Sequence, residues 1–281
     1  MSISNPTGDH PAPDWSGAPP DLDAVTAEVV DAERAIRILR TWGVVLLRQA
    51  LSLGVLDAVR RELCAAFERL PEVMEHNPGT ERTLGELGLI APGLSPGFAE
   101  LQLLSRLTVE CSPVQPILAG YFNAPPVPDL DHLRFRRQTA PLKRPHVPLH
   151  QDILFYGTGK SIVNCWVPLT PCGADAPGLR VFPMPAIARF VHRGTGDDES
   201  YPMSFIQDSA LDQYRARFPL APLTPVLTPG DLLIFDGWCL HQTTHGPGMT
   251  QERLSLEARY SFEGSLGPAT DRLRFDAAAG R

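Results

Sequence analysis

Three short stretches of this 281-residue chain carry side chains that could act together on one chemistry. The first is His150-Gln151-Asp152. On an extended backbone, residues two apart point the same way and the one between points opposite. An imidazole and a carboxylate would then project together, close enough to share one metal ion. The second is His241, which closes the apolar run Gly230-Asp-Leu-Leu-Ile-Phe-Asp-Gly-Trp-Cys-Leu-His241, 91 positions beyond His150. A buried strand is expected to deliver it. Two histidines and one carboxylate, with other positions left open, form the donor set of non-haem Fe(II) oxygenases. Catalytic zinc more often takes three histidines, or two histidines and a glutamate. The third is Arg253, twelve residues after His241. Gly246-Pro247-Gly248 reads as the centre of a hairpin that returns this arginine beside the histidine strand. A guanidinium there would grip a carboxylate with two parallel charge-assisted hydrogen bonds. Thr243, two along from His241, would face the same way and add a hydroxyl.

Donors so far apart need a fold that brings distant strands together. After about Leu133 the texture is β: Leu133 to Gln138, Ile162 to Leu169, Leu179 to Phe182, Asp231 to Phe235 and the alternating Leu254 to Tyr260. Many short strands with Pro/Gly turns, preceded by helices, predict a mainly β protein with flanking helices around a double-stranded β-helix, the cupin-like jelly roll. Upstream, Val25, Val29, Ile36 and Leu39 fall near helical spacing, with Gly43 as a stop. Val44 to Leu47 reads as a buried strand, and Leu53 to Leu70 as an amphipathic helix ended by Pro71. The next sixty residues or so read as loops with one helix around Phe98 to Val109. Residues 1–20, rich in Pro, Gly and Asp, are expected to be a disordered tail. Residues 21–281 are expected to be one domain, with a helical part over 21–125 and a jelly-roll core over about 130–265.

Together the motifs HQD, GDLLIFDGWCLH and RLSLEARY resemble the phytanoyl-CoA dioxygenase family of Fe(II)/2-oxoglutarate oxygenases. The upstream segment LRTWGVVLLRQALSLGVLDAVRREL is similar to that family's helix–strand–helix entry. The resemblance implies that His150, Asp152 and His241 are iron ligands and that Arg253, with Thr243, binds the distal carboxylate of 2-oxoglutarate. Arg259, six residues further along, is a rival for that role. Gln138 and Asn164 stand at positions expected to line the cosubstrate pocket, while Arg136, Tyr156 and Trp166 are candidates for meeting the substrate. The implied activity consumes 2-oxoglutarate and O2, releases succinate and CO2, and hydroxylates a small-molecule metabolite; desaturation, epimerisation and cyclisation are variants. Where the family commonly reads Pro-Gly-Ser-His, this chain has Ala176-Pro-Gly-Leu-Arg-Val-Phe-Pro-Met-Pro185, so substrate choice does not transfer. Asp152 argues against halogenation, since halogenating relatives lack that carboxylate. Two other readings use the same residues: a cupin-like hydrolase or isomerase without 2-oxoglutarate, and a non-catalytic ligand-binding relative.

Composition narrows the partners. The formal net charge is −7, and only two of 25 basic residues are lysine, Lys143 and Lys160. An acidic chain without a long basic tract is a poor binder of nucleic acid or anionic membranes. The densest basic cluster is Arg134, Arg136, Arg137, Lys143 and Arg144; Arg134 and Arg136 share a face with Gln138 on alternating positions and could meet an anionic group. No run approaches the roughly 18 apolar residues of a membrane span. Five cysteines without a CxxC pattern, and an N-terminus without a signal-like apolar stretch, lead us to expect a cytoplasmic protein.

Overall fold

The computed structural model describes residues 18–69, 89–90, 103, 105–106, 108–110, 112–138, 147–156, 160–185, 206, 211–212, 215, 220–263 and 265. Helix α1 (Ala32–Trp42) begins at Asp31, whose carboxylate accepts the Arg34 N–H at 3.0 Å, and ends at Gly43 with φ 71°. Val25 and Val29 lie outside it. The cap at Asp31 starts the helix, and Thr26–Ala27 forms strand β1, parallel to β2 (Val44–Leu47). The second amphipathic stretch forms α2 (Leu53–Glu68), with Leu56, Val59, Leu63 and Phe67 buried as its spacing predicts. Leu70 and Pro71 lie outside the described residues, as does most of the helix expected around Phe98 to Val109; positions 105, 106 and 108–110 are helical. The stretch read as loops holds a further helix, α3 (Val114–Phe122). Its Pro116 is the third helical residue, where no intrahelical hydrogen bond is lost. Its Gly120 lies where α1 crosses, and an added Cβ would run into Ile36.

The β half is a jelly roll of two facing sheets. The larger contains β3 (Leu89–Ile90), β4 (Pro126–Pro128), β5 (Arg134–Gln138), β6 (Val163–Pro168), β8 (Leu232–Asp236) and β10 (Arg253–Phe262). They run in the order β1-β2-β8-β6-β10-β5-β3, with β4 also on β10. The smaller pairs β7 (Gly178–Phe182) with β9 (Leu240–Thr244) and is widened by single bridges, His150 to His241 and Val181 to Leu223. On β10 the alternation works on both faces. Leu254, Leu256, Ala258 and Tyr260 join the apolar cluster that includes the buried faces of α1, α2 and α3. Arg253, Glu257 and Arg259 turn the other way and line a cleft.

Two connections differ from expectation. The run ending at His241 is broken, because Asp236 Oδ1 accepts the backbone N–H groups of Trp238 and Cys239, each at 3.1 Å. That carboxylate turn reverses the chain, so His241 belongs to β9 in the smaller sheet. The Gly246-Pro247-Gly248 segment is not a hairpin centre, since β9 and β10 lie in different sheets and the segment crosses between them. Among the described residues, no helix is long and apolar enough to cross a membrane.

Candidate functional site

The two histidines are brought together by backbone pairing. His150 N–H donates to His241 O at 3.0 Å and His241 N–H to His150 O at 3.1 Å, which sets the two rings 4.1 Å apart. The segment after His150 is then strapped to the 237–238 turn: Gln151 Nε2 donates to Trp238 O at 2.7 Å and Ile153 N–H to Gly237 O at 2.8 Å. His-Gln-Asp is therefore a bridge followed by a turn into α4 (Ile153–Tyr156), not a regular strand, yet Asp152 still projects beside His150.

The proton positions follow from the partners. His150 Nδ1 is 2.7 Å from Pro148 O, and His241 Nδ1 is 3.0 Å from Cys239 O. A carbonyl only accepts, so each Nδ1 carries the hydrogen and each Nε2 presents a lone pair. Both Nε2 atoms face Asp152 Oδ1, at 3.3 Å and 3.8 Å. Burial, reinforced by His150, pushes His241 down to about 4 and keeps it neutral near pH 7. Burial also opposes ionisation of Asp152, but Arg259 and the two histidines overcome it and hold the carboxyl well below the usual range. Asp152 Oδ1 has no hydrogen-bond partner although it is fully enclosed. One donor atom from each of His150, Asp152 and His241 lies within 4.8 Å of the others, all three buried. Lone pairs converging among buried groups are costly without a cation among them. The donor set fits a divalent ion with imidazole and carboxylate preferences.

The other carboxylate oxygen is taken. Asp152 Oδ2 accepts from Arg259 Nε at 3.1 Å and Nη2 at 3.0 Å. Arg259 is in turn 3.6 Å from Glu257, which accepts Arg136 Nε at 2.6 Å. Arg259 is thus a carboxylate partner inside the protein rather than the rival anion site considered above. Glu257 was not anticipated. Counting by twos from Arg253 along β10 reaches Ser255, Glu257 and Arg259, so strand period alone could have found it.

These groups line a cleft of about 360 Å³, partly open to solvent. Arg253, 1% exposed, is among the lining residues. Its Nη1 donates to Gly178 O at 3.0 Å, its guanidinium lies 5.4 Å over the Trp166 ring, and its Nε has no partner. Burial lowers it to about 10, still a cation at neutral pH. No described carboxylate pairs with it, since Asp152 and Glu257 are held by Arg259 and Arg136. Thr243, Asn164 and Trp166 share the lining; both amide atoms of Asn164 and the Trp166 indole nitrogen lack partners. Arg136 lines the cleft and donates its Nε to Glu257. Gln138 and Tyr156 are not among the described lining residues. Gln138 pairs in register with Arg253, and Tyr156 packs on His132, ring centres 4.9 Å apart. Lys143 and Arg144 lie outside the described residues.

Comparison with known proteins bears on this arrangement. The family model described as Phytanoyl-CoA dioxygenase (PhyH) matches residues 120–246, which hold His150, Asp152 and His241. Over those residues the chain is similar to the phytanoyl-CoA dioxygenase family. Arg253 and Arg259 lie just past the matched stretch. No curated protein matches the chain. Among solved structures, EctD from S. alaskensis with 2-oxoglutarate and 5-hydroxyectoine is similar at 14% identity and TM-score 0.60, covering 91% of this chain and 87% of that one. The non-heme alpha ketoglutarate dependent epimerase SnoN from nogalamycin biosynthesis matches at 15% identity and TM-score 0.55, covering 83% and 84%. The carbocyclase SnoK from the same biosynthesis matches at 14% identity and TM-score 0.52, covering 88% and 87%. At such identities the likeness is one of fold.

Proposed function

We propose that this chain is an Fe(II)- and 2-oxoglutarate-dependent dioxygenase that hydroxylates a small-molecule metabolite. The observation that carries the reading is the pairing of two features in one cleft: three converging lone-pair donors with Asp152 Oδ1 unpartnered, and the buried Arg253 cation without a carboxylate. The first asks for a metal ion; the second asks for an anion. EctD carries 2-oxoglutarate in a similar fold.

His150 Nε2, His241 Nε2 and Asp152 Oδ1 would hold the iron. When bound, iron and 2-oxoglutarate supply the oxidation: substrate C–H, 2-oxoglutarate and O2 become C–OH, succinate and CO2. The chain's own part is placement. The Pro148 and Cys239 carbonyls fix the Nδ1–H tautomer and aim each Nε2 inward. Arg253 would grip the distal carboxylate of 2-oxoglutarate, with the Thr243 hydroxyl beside it, and Asn164 has an unused donor and an unused acceptor for a bound polar group. Val147, Leu179 and Phe235 make the apolar part of the wall and exclude water, which strengthens every polar contact inside. Epimerisation and ring closure, the reactions named for SnoN and SnoK, would need the same ligands and a different substrate pose.

The test is turnover of 2-oxoglutarate by purified His150→Ala and Asp152→Ala variants, followed as succinate. Loss of turnover in both is expected. Undiminished succinate from either one contradicts the assignment.

A further inference from the structure

Building on the oxygenase reading, we infer that Arg259 is the positioning residue of the metal carboxylate: its two N–H donors on Asp152 Oδ2 reserve Oδ1 alone for the ion. Each of the three Arg259 guanidinium nitrogens is committed to a partner. Nη1 donates to His132 O at 2.6 Å, while Nε and Nη2 reach Asp152 Oδ2 at 3.1 Å and 3.0 Å. Glu257 stands 3.6 Å away and is itself gripped by Arg136. The guanidinium is therefore held by Asp152, Glu257 and the His132 carbonyl, while its backbone stands in register opposite Asn164 on β6.

Asp152 is 1% exposed, so no water substitutes for these contacts if the carboxylate turns. Giving both oxygens to a metal would strip two charge-assisted hydrogen bonds from a buried guanidinium, an unfavourable exchange. The carboxylate is thus a one-oxygen ligand. The chain would then offer an ion three donor atoms, His150 Nε2, His241 Nε2 and Asp152 Oδ1. Charge by itself cannot be the role, because a cation directly behind a ligand opposes a second cation in front of it. Geometry is the role: a planar fork supplies two donors to Asp152 and a third to His132 O, and an ammonium cannot reproduce that.

Arg259→Lys isolates the geometry, since it keeps the charge. Metal-free wild type, Arg259→Lys and Arg259→Gln would be titrated anaerobically with Co(II), reading Kd and the visible d–d spectrum, with thermal unfolding recorded separately. We expect Arg259→Lys to bind Co(II) at least about tenfold more weakly, in the range set by partners of metal ligands, with a changed spectrum. A folded Arg259→Lys protein with Kd within threefold of wild type and the wild-type spectrum overturns the inference. If neither variant folds, the structure of Co(II)-loaded wild type decides. One Asp152 oxygen on the metal and the other on Arg259 supports it; both oxygens on the metal, or Arg259 turned away, overturns it. Wild type that binds no Co(II) overturns the oxygenase reading itself, an outcome distinct from equal binding by wild type and Arg259→Lys.

Discussion

Arg253 and His241 carry opposite electrostatic problems, and each yields a prediction of its own. Arg253 is a buried cation whose protein partners are one carbonyl and an indole face. On the proposed reading it awaits a carboxylate, and a charge-assisted pair of hydrogen bonds contributes about 2–3 kcal/mol. Arg253→Ala is therefore expected to raise the Kd for 2-oxoglutarate by about 30–150-fold while the metal Kd changes by no more than a few-fold. Calorimetric titration of the Mn(II)-loaded proteins checks this, and parallel losses of both affinities would count against it. His241 is a neutral imidazole held far below its ordinary pKa of 6.5, at about 4. The unfolded chain takes up that proton first, so falling pH favours unfolding. Metal-free protein should lose on the order of 2 kcal/mol between pH 7 and pH 5 from this residue alone. The lowered carboxyls of Asp152 and Glu257 act in the same direction, at pH below their ordinary values. Urea unfolding at the two pH values tests this, with His241→Asn expected to flatten the difference.

The elements position the site through close backbone approaches, and Gly178 marks one of them beside Arg253. A Cβ at Gly178 would sit 2.7 Å from Gly173 Cα, and Gly178 O is the acceptor of Arg253 Nη1. Gly178→Ala must move the start of β7 and with it the arginine's anchor. We expect weaker 2-oxoglutarate binding and a fall in Tm of several degrees, whereas unchanged binding would separate the anchor from the site. How much of these elements the sequence discloses depends on whether the deciding interaction is local. Val44–Leu47, α2 and the two-faced β10 are readable because period and residue type suffice. The end of α1 is readable because Gly43 adopts φ 71°. The start of α1 is set by one Asp31 hydrogen bond rather than by periodicity. Helix α3 hides behind Pro116, harmless only because of its position in the first turn. The 236–239 turn and the crossing after β9 depend on which sheet each strand joins, a long-range choice that local pattern does not report. His150, Asp152, His241 and Arg253 nevertheless converge, since motif spacing marks them even where the imagined hairpin is absent. The roles of Glu257 and Arg259 require knowing that β10 faces the cleft.

At the scale of the whole molecule, the larger sheet contributes the arginines and Glu257, and the smaller sheet with its bridged His150 contributes the histidines. Ligands that touch both sheets should therefore stabilise the fold by mass action. At a hundredfold excess over Kd each adds about 2.7 kcal/mol, a Tm rise of roughly 5–10 °C for a chain of this size. Mn(II) followed by 2-oxoglutarate should give two successive shifts in wild type, and only the first in Arg253→Ala. The central claim, a ferrous centre that binds 2-oxoglutarate, is tested most directly by one anaerobic spectrum. Adding Fe(II) and 2-oxoglutarate to wild type under argon is expected to produce a weak visible metal-to-ligand charge-transfer band that saturates at one equivalent of iron. The band should be missing from Asp152→Ala. A wild-type protein that binds iron yet shows no such band at saturating 2-oxoglutarate would contradict the account.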